Sequence, residues 1–87
     1  MKIKDGFILR SVAGQHVVMP IGQEAVHFNG LIQLNETGKL LFEHLQKEAT
    51  EDDLVNVLKE TYEVDQATAT KDVQAFINTL KSKNVLQ

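Results

Sequence analysis

The chain contains no cysteine, one proline and one arginine. Without cysteine there is no disulfide framework and no thiolate for catalysis or metal binding. A reducing cytoplasm is the expected setting. One proline in 87 residues, with 24% charged and 43% hydrophobic residues, argues against disorder and allows a real core. No apolar run approaches the roughly 20 residues that span a bilayer, so no membrane partner is expected. The opening Met1-Lys-Ile-Lys-Asp-Gly6 lacks the long apolar segment of a signal peptide. No Gly-rich phosphate cradle is present, and neither Ser11 nor Ser82 has an evident base beside it. No catalytic residue and no cofactor are expected, and the chain does not read as an enzyme.

Metal chemistry is equally thin. His16, His27 and His44 share no ligand spacing. Glu51-Asp52-Asp53 lacks the spaced oxygen ligands of a calcium loop and reads as a helix start. Asn35-Glu36-Thr37 fits a glycosylation pattern, but a helix cap explains it better in a chain without an export signal. The net charge of −3 is unevenly placed. Residues 1–30 carry three bases against two acids, and residues 31–87 carry six Lys against ten acids. An acidic second half is a poor surface for phosphate.

What is present divides into strands and then helices. Phe7–Val12 and Gln15–Met19 read as two strands, with Ala13-Gly14 as a tight hairpin between them. Pro20 closes the second strand because it cannot donate a ladder bond. Within 21–29, Gly22 and Asn29-Gly30 read as turns, and Ala25–Phe28 is either extended or one helical turn. Phe28 is expected to be buried. Leu31–Leu34 reads as a third strand that feeds straight into a helix capped by Asn35. By alternation, Ile32 and Leu34 should face the core while Leu31 and Gln33 face away. A strand followed only by helices keeps a free edge, and such an edge can take up a peptide.

Glu36–Gln46 is the first expected helix, with Leu40, Leu41, Phe42 and Leu45 as its apolar residues. Thr50-Glu-Asp-Asp53 resembles a capping box opening a second helix to about Tyr62. Asp65 should cap a third, in which Val73, Phe76, Ile77 and Leu80 recur at i, i+3, i+4, i+7 and read most simply as core. Asn84 suits a left-handed stop, after which Val85 and Leu86 fold back. The order predicts an α+β fold in one domain over 1–87, winged-helix-like, with a three-stranded antiparallel sheet followed by three helices.

Three motifs carry a resemblance. They are Leu34-Asn-Glu-Thr-Gly38, Thr50-Glu-Asp-Asp-Leu-Val55, and Tyr62-Glu-Val-Asp65 leading into Lys71-Asp-Val-Gln-Ala-Phe-Ile77. In this order and spacing the chain resembles the PqqD family along nearly its whole length. The resemblance implies a recognition element for ribosomally made, post-translationally modified peptides. Such a module holds the leader segment of a precursor peptide and presents it to a modifying enzyme, often a radical SAM enzyme. It implies that the leader adds to the free edge of the third strand, against the third helix. The positions so implied are Leu31, Ile32, Gln33 and Leu34, with Asp72, Val73, Phe76, Ile77 and Leu80. One departure from the family pattern is the longer connection from Pro20 to Gly30.

Two other readings stand beside this one. A winged-helix regulator would present Arg, Lys, Asn or Gln to base edges. The third helix here offers Gln66, Lys71, Gln74 and Asn78, with Lys81 and Lys83 at its end, and no Arg. No nucleic-acid partner is therefore expected. A dimerisation module would pair the same strand edge with a second copy.

Overall fold

Ala13 and Gly14 turn the chain back on itself, both with positive φ, 53° and 79°. That is the pattern of a two-residue hairpin whose twist matches the flanking strands. It pairs β1 (Phe7–Val12) antiparallel with β2 (Gln15–Pro20), in register from Phe7 opposite Pro20 to Val12 opposite Gln15. The computed structural model describes residues 1–27 and 30–87. Phe28, expected in the core, lies outside the described residues.

A one-turn helix, α1 (Glu24–His27), follows β2. For Ala25–His27 the helical turn is the form observed. Gly22, at φ 61°, starts the turn, and the Ala25 N–H donates to its carbonyl at 3.2 Å. The observed order is therefore strand, strand, short helix, strand, then three helices, an α+β fold.

β3 (Ile32–Leu34) pairs antiparallel with β2, with Val18 opposite Ile32 and His16 opposite Leu34. It is one residue shorter than the expected Leu31–Leu34 strand. Gly30 turns at φ 103°, and ladder pairing starts only at Ile32. The sheet order is β1-β2-β3, so β3 lies at one edge. Ile32 and Leu34 point into the core, and Leu31 and Gln33 are exposed.

The three long helices start as their caps dictate. Asn35 accepts the Gly38 N–H at 2.8 Å and opens α2 (Glu36–His44), two residues shorter than expected. Thr50 accepts from the Asp53 N–H at 3.1 Å, and Asp53 accepts from the Thr50 N–H at 2.9 Å. This reciprocal box opens α3 (Glu51–Thr61). Asp65 accepts the Thr68 N–H at 2.7 Å and opens α4 (Gln66–Ser82). Asn84 stops α4 at φ 61°. The N–H groups of Val85 and Asn84 reach the carbonyls of Leu80 and Lys81, which completes a Schellman stop.

Val85 and Leu86 then turn inward, as expected, and meet the first residues of the chain. Ile3 bridges Leu86, and the Lys4 N–H donates to the Val85 carbonyl at 2.8 Å. The buried residues form one cluster. Val18, Ile32 and Leu34 come from the sheet, Leu41, Phe42 and Leu45 from the α2 segment, and Leu54, Val55 and Leu58 from α3. Val73, Ile77 and Leu80 from α4 fill its centre, with Phe76 packed partly buried at its margin. Each fully buried aliphatic residue stabilises the fold by about 1.5–3 kcal/mol.

Candidate functional site

A groove of about 340 Å³ runs between β3 and α4. Ile32, Gln33 and Leu34 form one wall, and Asp72, Ala75, Phe76 and Thr79 form the other. Asn35, Thr37, Gly38 and Leu41, from the start of α2, close one end and the floor. Strand, cap and helix follow one another without a loop, so α2 is pressed against β3. Gly38 sits at the closest part of that approach. A Cβ there would meet Leu34 Cβ, Leu34 Cδ2 and Asn35 Oδ1, all at 3.3 Å.

The α4 wall is a single helical stripe, since residues three and four apart share a face. Phe76 is half-buried, and Asp72, Ala75 and Thr79 are exposed. The Thr79 hydroxyl donates back to the Ala75 carbonyl at 3.0 Å, so it is already engaged. Across the groove, the outer edge of β3 carries no strand among the described residues. Alternate residues of an edge strand turn their N–H and C=O groups outward, and those groups are the ones a new strand pairs with.

The expected site residues separate into three groups. Ile32, Gln33, Leu34, Asp72 and Phe76 come together in the groove. Val73, Ile77 and Leu80 do not line it. They are 0%, 5% and 0% exposed and belong to the core stripe of α4, one position round the helix. Their part is to pack α4 into the shared core. Leu31 is 58% exposed on the opposite face of the sheet. Sequence reasoning missed Asn35, Thr37, Gly38, Leu41, Ala75 and Thr79 as groove residues. Leu41 read as core and is fully buried; the others are small or polar and carry no apolar period to mark the groove.

A tie beside the groove fixes the start of α2. His16 Nε2 donates to Glu36 Oε1 at 2.7 Å, and its Nδ1 meets Ser11 Oγ at 2.9 Å. The hydrogen bond to His16, and then its charge, hold the Glu36 carboxyl below its ordinary value of 4.5. On the other side of the sheet lies a wider, shallow apolar depression of about 680 Å³, formed by Ile8, Val12, Val17, Met19 and Leu31 around Arg10. It is larger, but no helical residue lines it among the described residues. There Gln33 Nε2 donates to Gln15 Oε1 at 2.8 Å. The groove is the better candidate because it alone joins an open strand edge to a partly apolar helix wall.

Among the described residues, no group of three His, Asp or Glu side chains could hold a metal ion. No helix among them is long and apolar enough to cross a membrane.

The family model for coenzyme PQQ synthesis protein D, PqqD, matches residues 15–86. No curated protein matches the chain. Among solved structures, the chain is similar to one described as TbiB1 in complex with the TbiA(beta) leader peptide. The TM-score is 0.78 at 22% identity, covering 100% of this chain and 95% of that one. It is also similar to a lasso peptide synthetase B1 complexed with the leader peptide. There the TM-score is 0.74 at 21% identity, covering 97% of this chain and 93% of that one. At such identities the likeness establishes a shared fold along the whole chain.

Proposed function

The chain belongs to the PqqD family, and from that membership we propose that it is an accessory module binding the leader segment of a ribosomally made precursor peptide. The leader adds as a strand to the outer edge of β3, and its alternate side chains enter the groove against α4. The observation that carries this reading is the groove itself, where an unpaired strand edge faces the Asp72–Phe76–Thr79 stripe. In strand addition, main-chain hydrogen bonds give affinity and side-chain pockets give selectivity. The fold shared with two leader-bound proteins supports the same reading.

Residues 1–87 act here as one peptide-binding domain in the cytoplasm. The module contributes position and not bond chemistry, and a separate modifying enzyme, such as one of the radical SAM class, does the chemistry on the leader's downstream core. Without a presented leader, that enzyme must find its substrate by free encounter. With one, the core is held at high effective concentration. The same β3 edge can pair with a second copy, so a homodimer and the peptide-bound form exclude each other. The nucleic-acid reading is not favoured. The groove wall on α4 carries an acid and no base.

The test is a calorimetric titration with a synthetic leader, its sequence taken from a short precursor gene sought beside this chain's own. Saturable one-to-one binding is the expected result. Absence of heat at high micromolar concentrations of both partners would overturn the proposal.

A further inference from the structure

Asp72 is the only charged side chain among the described residues that line the groove. It is exposed, and among the described residues its carboxylate has no hydrogen-bond or ion-pair partner. Several acids elsewhere on the chain do have partners. Glu36 is tied to His16, and Asp53 and Asp65 accept from the helix starts they cap. One turn along the same stripe sits Phe76, half-buried, with its ring at the core margin. A ligand in this groove therefore meets an unanswered negative charge and then an apolar surface.

The spacing of these two residues matches a strand. Four residues of helix advance about 6 Å. Two residues of strand advance about 6.6 Å, and they point to the same face. The two walls also agree in length. Asp72 to Thr79 spans about 10 Å of helix, and Ile32 to Asn35 spans about 10 Å of strand. A strand added to β3 and running along α4 brings alternate side chains to Asp72 and Phe76 in turn.

We infer that this groove selects a peptide segment in which a Lys or Arg and a bulky apolar residue stand two positions apart. The basic side chain pairs with Asp72, and the apolar one packs on Phe76. The inference rests on the strand-addition reading above and specifies the chemistry of its ligand. An exposed ion pair contributes modestly, so the cation acts as a selector and the main chain supplies most of the affinity. A residue placed one position away points to the opposite face of the added strand, where Asp72 cannot reach it.

The test uses a random decapeptide display library as the probe, selected separately on the wild-type protein and on Asp72→Lys. The selected peptides are then titrated into labelled protein and followed by amide shifts. The expected wild-type selection is enriched in Lys or Arg two residues from Phe, Tyr, Leu or Ile. Asp72→Lys should replace the base by Asp or Glu at the same position. Exchanging Lys for Glu in a selected peptide should weaken wild-type binding about fivefold. Moving the Lys by one residue should weaken it as much. Peptides that shift Ile32–Leu34 but carry no charge preference in either selection would overturn this inference and leave the strand-addition reading standing. Selections whose peptides leave Ile32–Leu34 unshifted, or that enrich no peptide, would overturn both.

Discussion

His16 and Glu36 join the central strand to the first residue of α2, Nε2 to Oε1 at 2.7 Å. The imidazole is nearly enclosed, 12% exposed, and the carboxylate is 74% exposed. The pair ties β2 to the helix that Asn35 opens directly after β3.

Its pH dependence follows from the direction of the Glu36 shift. The folded chain holds this carboxyl below its ordinary 4.5, chiefly through the bond to His16. The unfolded chain therefore takes up the proton first. The contribution to stability is present above about pH 4.5 and is lost as pH falls through the lower folded value. Asp53 and Asp65 are depressed in the same direction by the N–H groups they cap. Glu36→Gln should lower the melting midpoint at pH 6 and lower it by less at pH 3. An equal loss at both pH values would show that the carboxylate does not act through its charge.

Two neighbours on α4 should behave differently. Leu80 is fully buried, and Leu80→Ala should destabilise by about 2–5 kcal/mol, a large share of a small domain's stability. Phe76 is half-buried at the groove, and Phe76→Ala should cost about 1 kcal/mol of stability. It should also weaken peptide binding by about tenfold. Paired melts and calorimetric titrations check this. A Phe76→Ala protein with unchanged peptide affinity would remove that ring from the site.

That contrast also shows what the sequence could tell. The caps at Asn35, Thr50 and Asp65, the Ala13-Gly14 hairpin and the Asn84 stop were all legible, because each is local chemistry written within three or four residues. The i, i+3, i+4, i+7 pattern marked the buried stripe of α4, and Val73, Ile77 and Leu80 are in the core. The groove wall is the adjacent stripe, Asp72, Ala75, Phe76 and Thr79, which shares only Phe76 with that pattern. Hydrophobic periodicity reports burial, and a site that stays open to solvent has no such period. Gly38 carried a faint signal, as a glycine in a helix's first turn where only close packing explains it. The short α1 was undecided because four residues carry too little pattern to separate one helical turn from an extended segment.

Nucleic acid should not compete for this surface. The single Arg10 lies on the far face of the sheet, and the α4 groove stripe is acidic. A gel-shift titration at physiological salt should show only weak, non-specific binding to duplex DNA. Submicromolar affinity would contradict the account.

Self-association and peptide binding should be antagonistic, because both need the β3 edge. Sedimentation at rising concentration should reveal a dimer that added leader peptide dissolves. A dimer unaffected by saturating peptide would place the contact elsewhere, with the apolar face around Leu31 and Val17 as the first alternative.

The central claim is that the peptide adds to β3 beside α4. Amide-shift mapping by NMR with the cognate leader tests it most directly. The account predicts the largest shifts at Ile32, Gln33 and Leu34 and along Asp72, Phe76 and Thr79, with new hydrogen-exchange protection at the β3 amides that face outward. Shifts confined to the Phe7–Pro20 hairpin, with β3 and α4 unmoved, would contradict it.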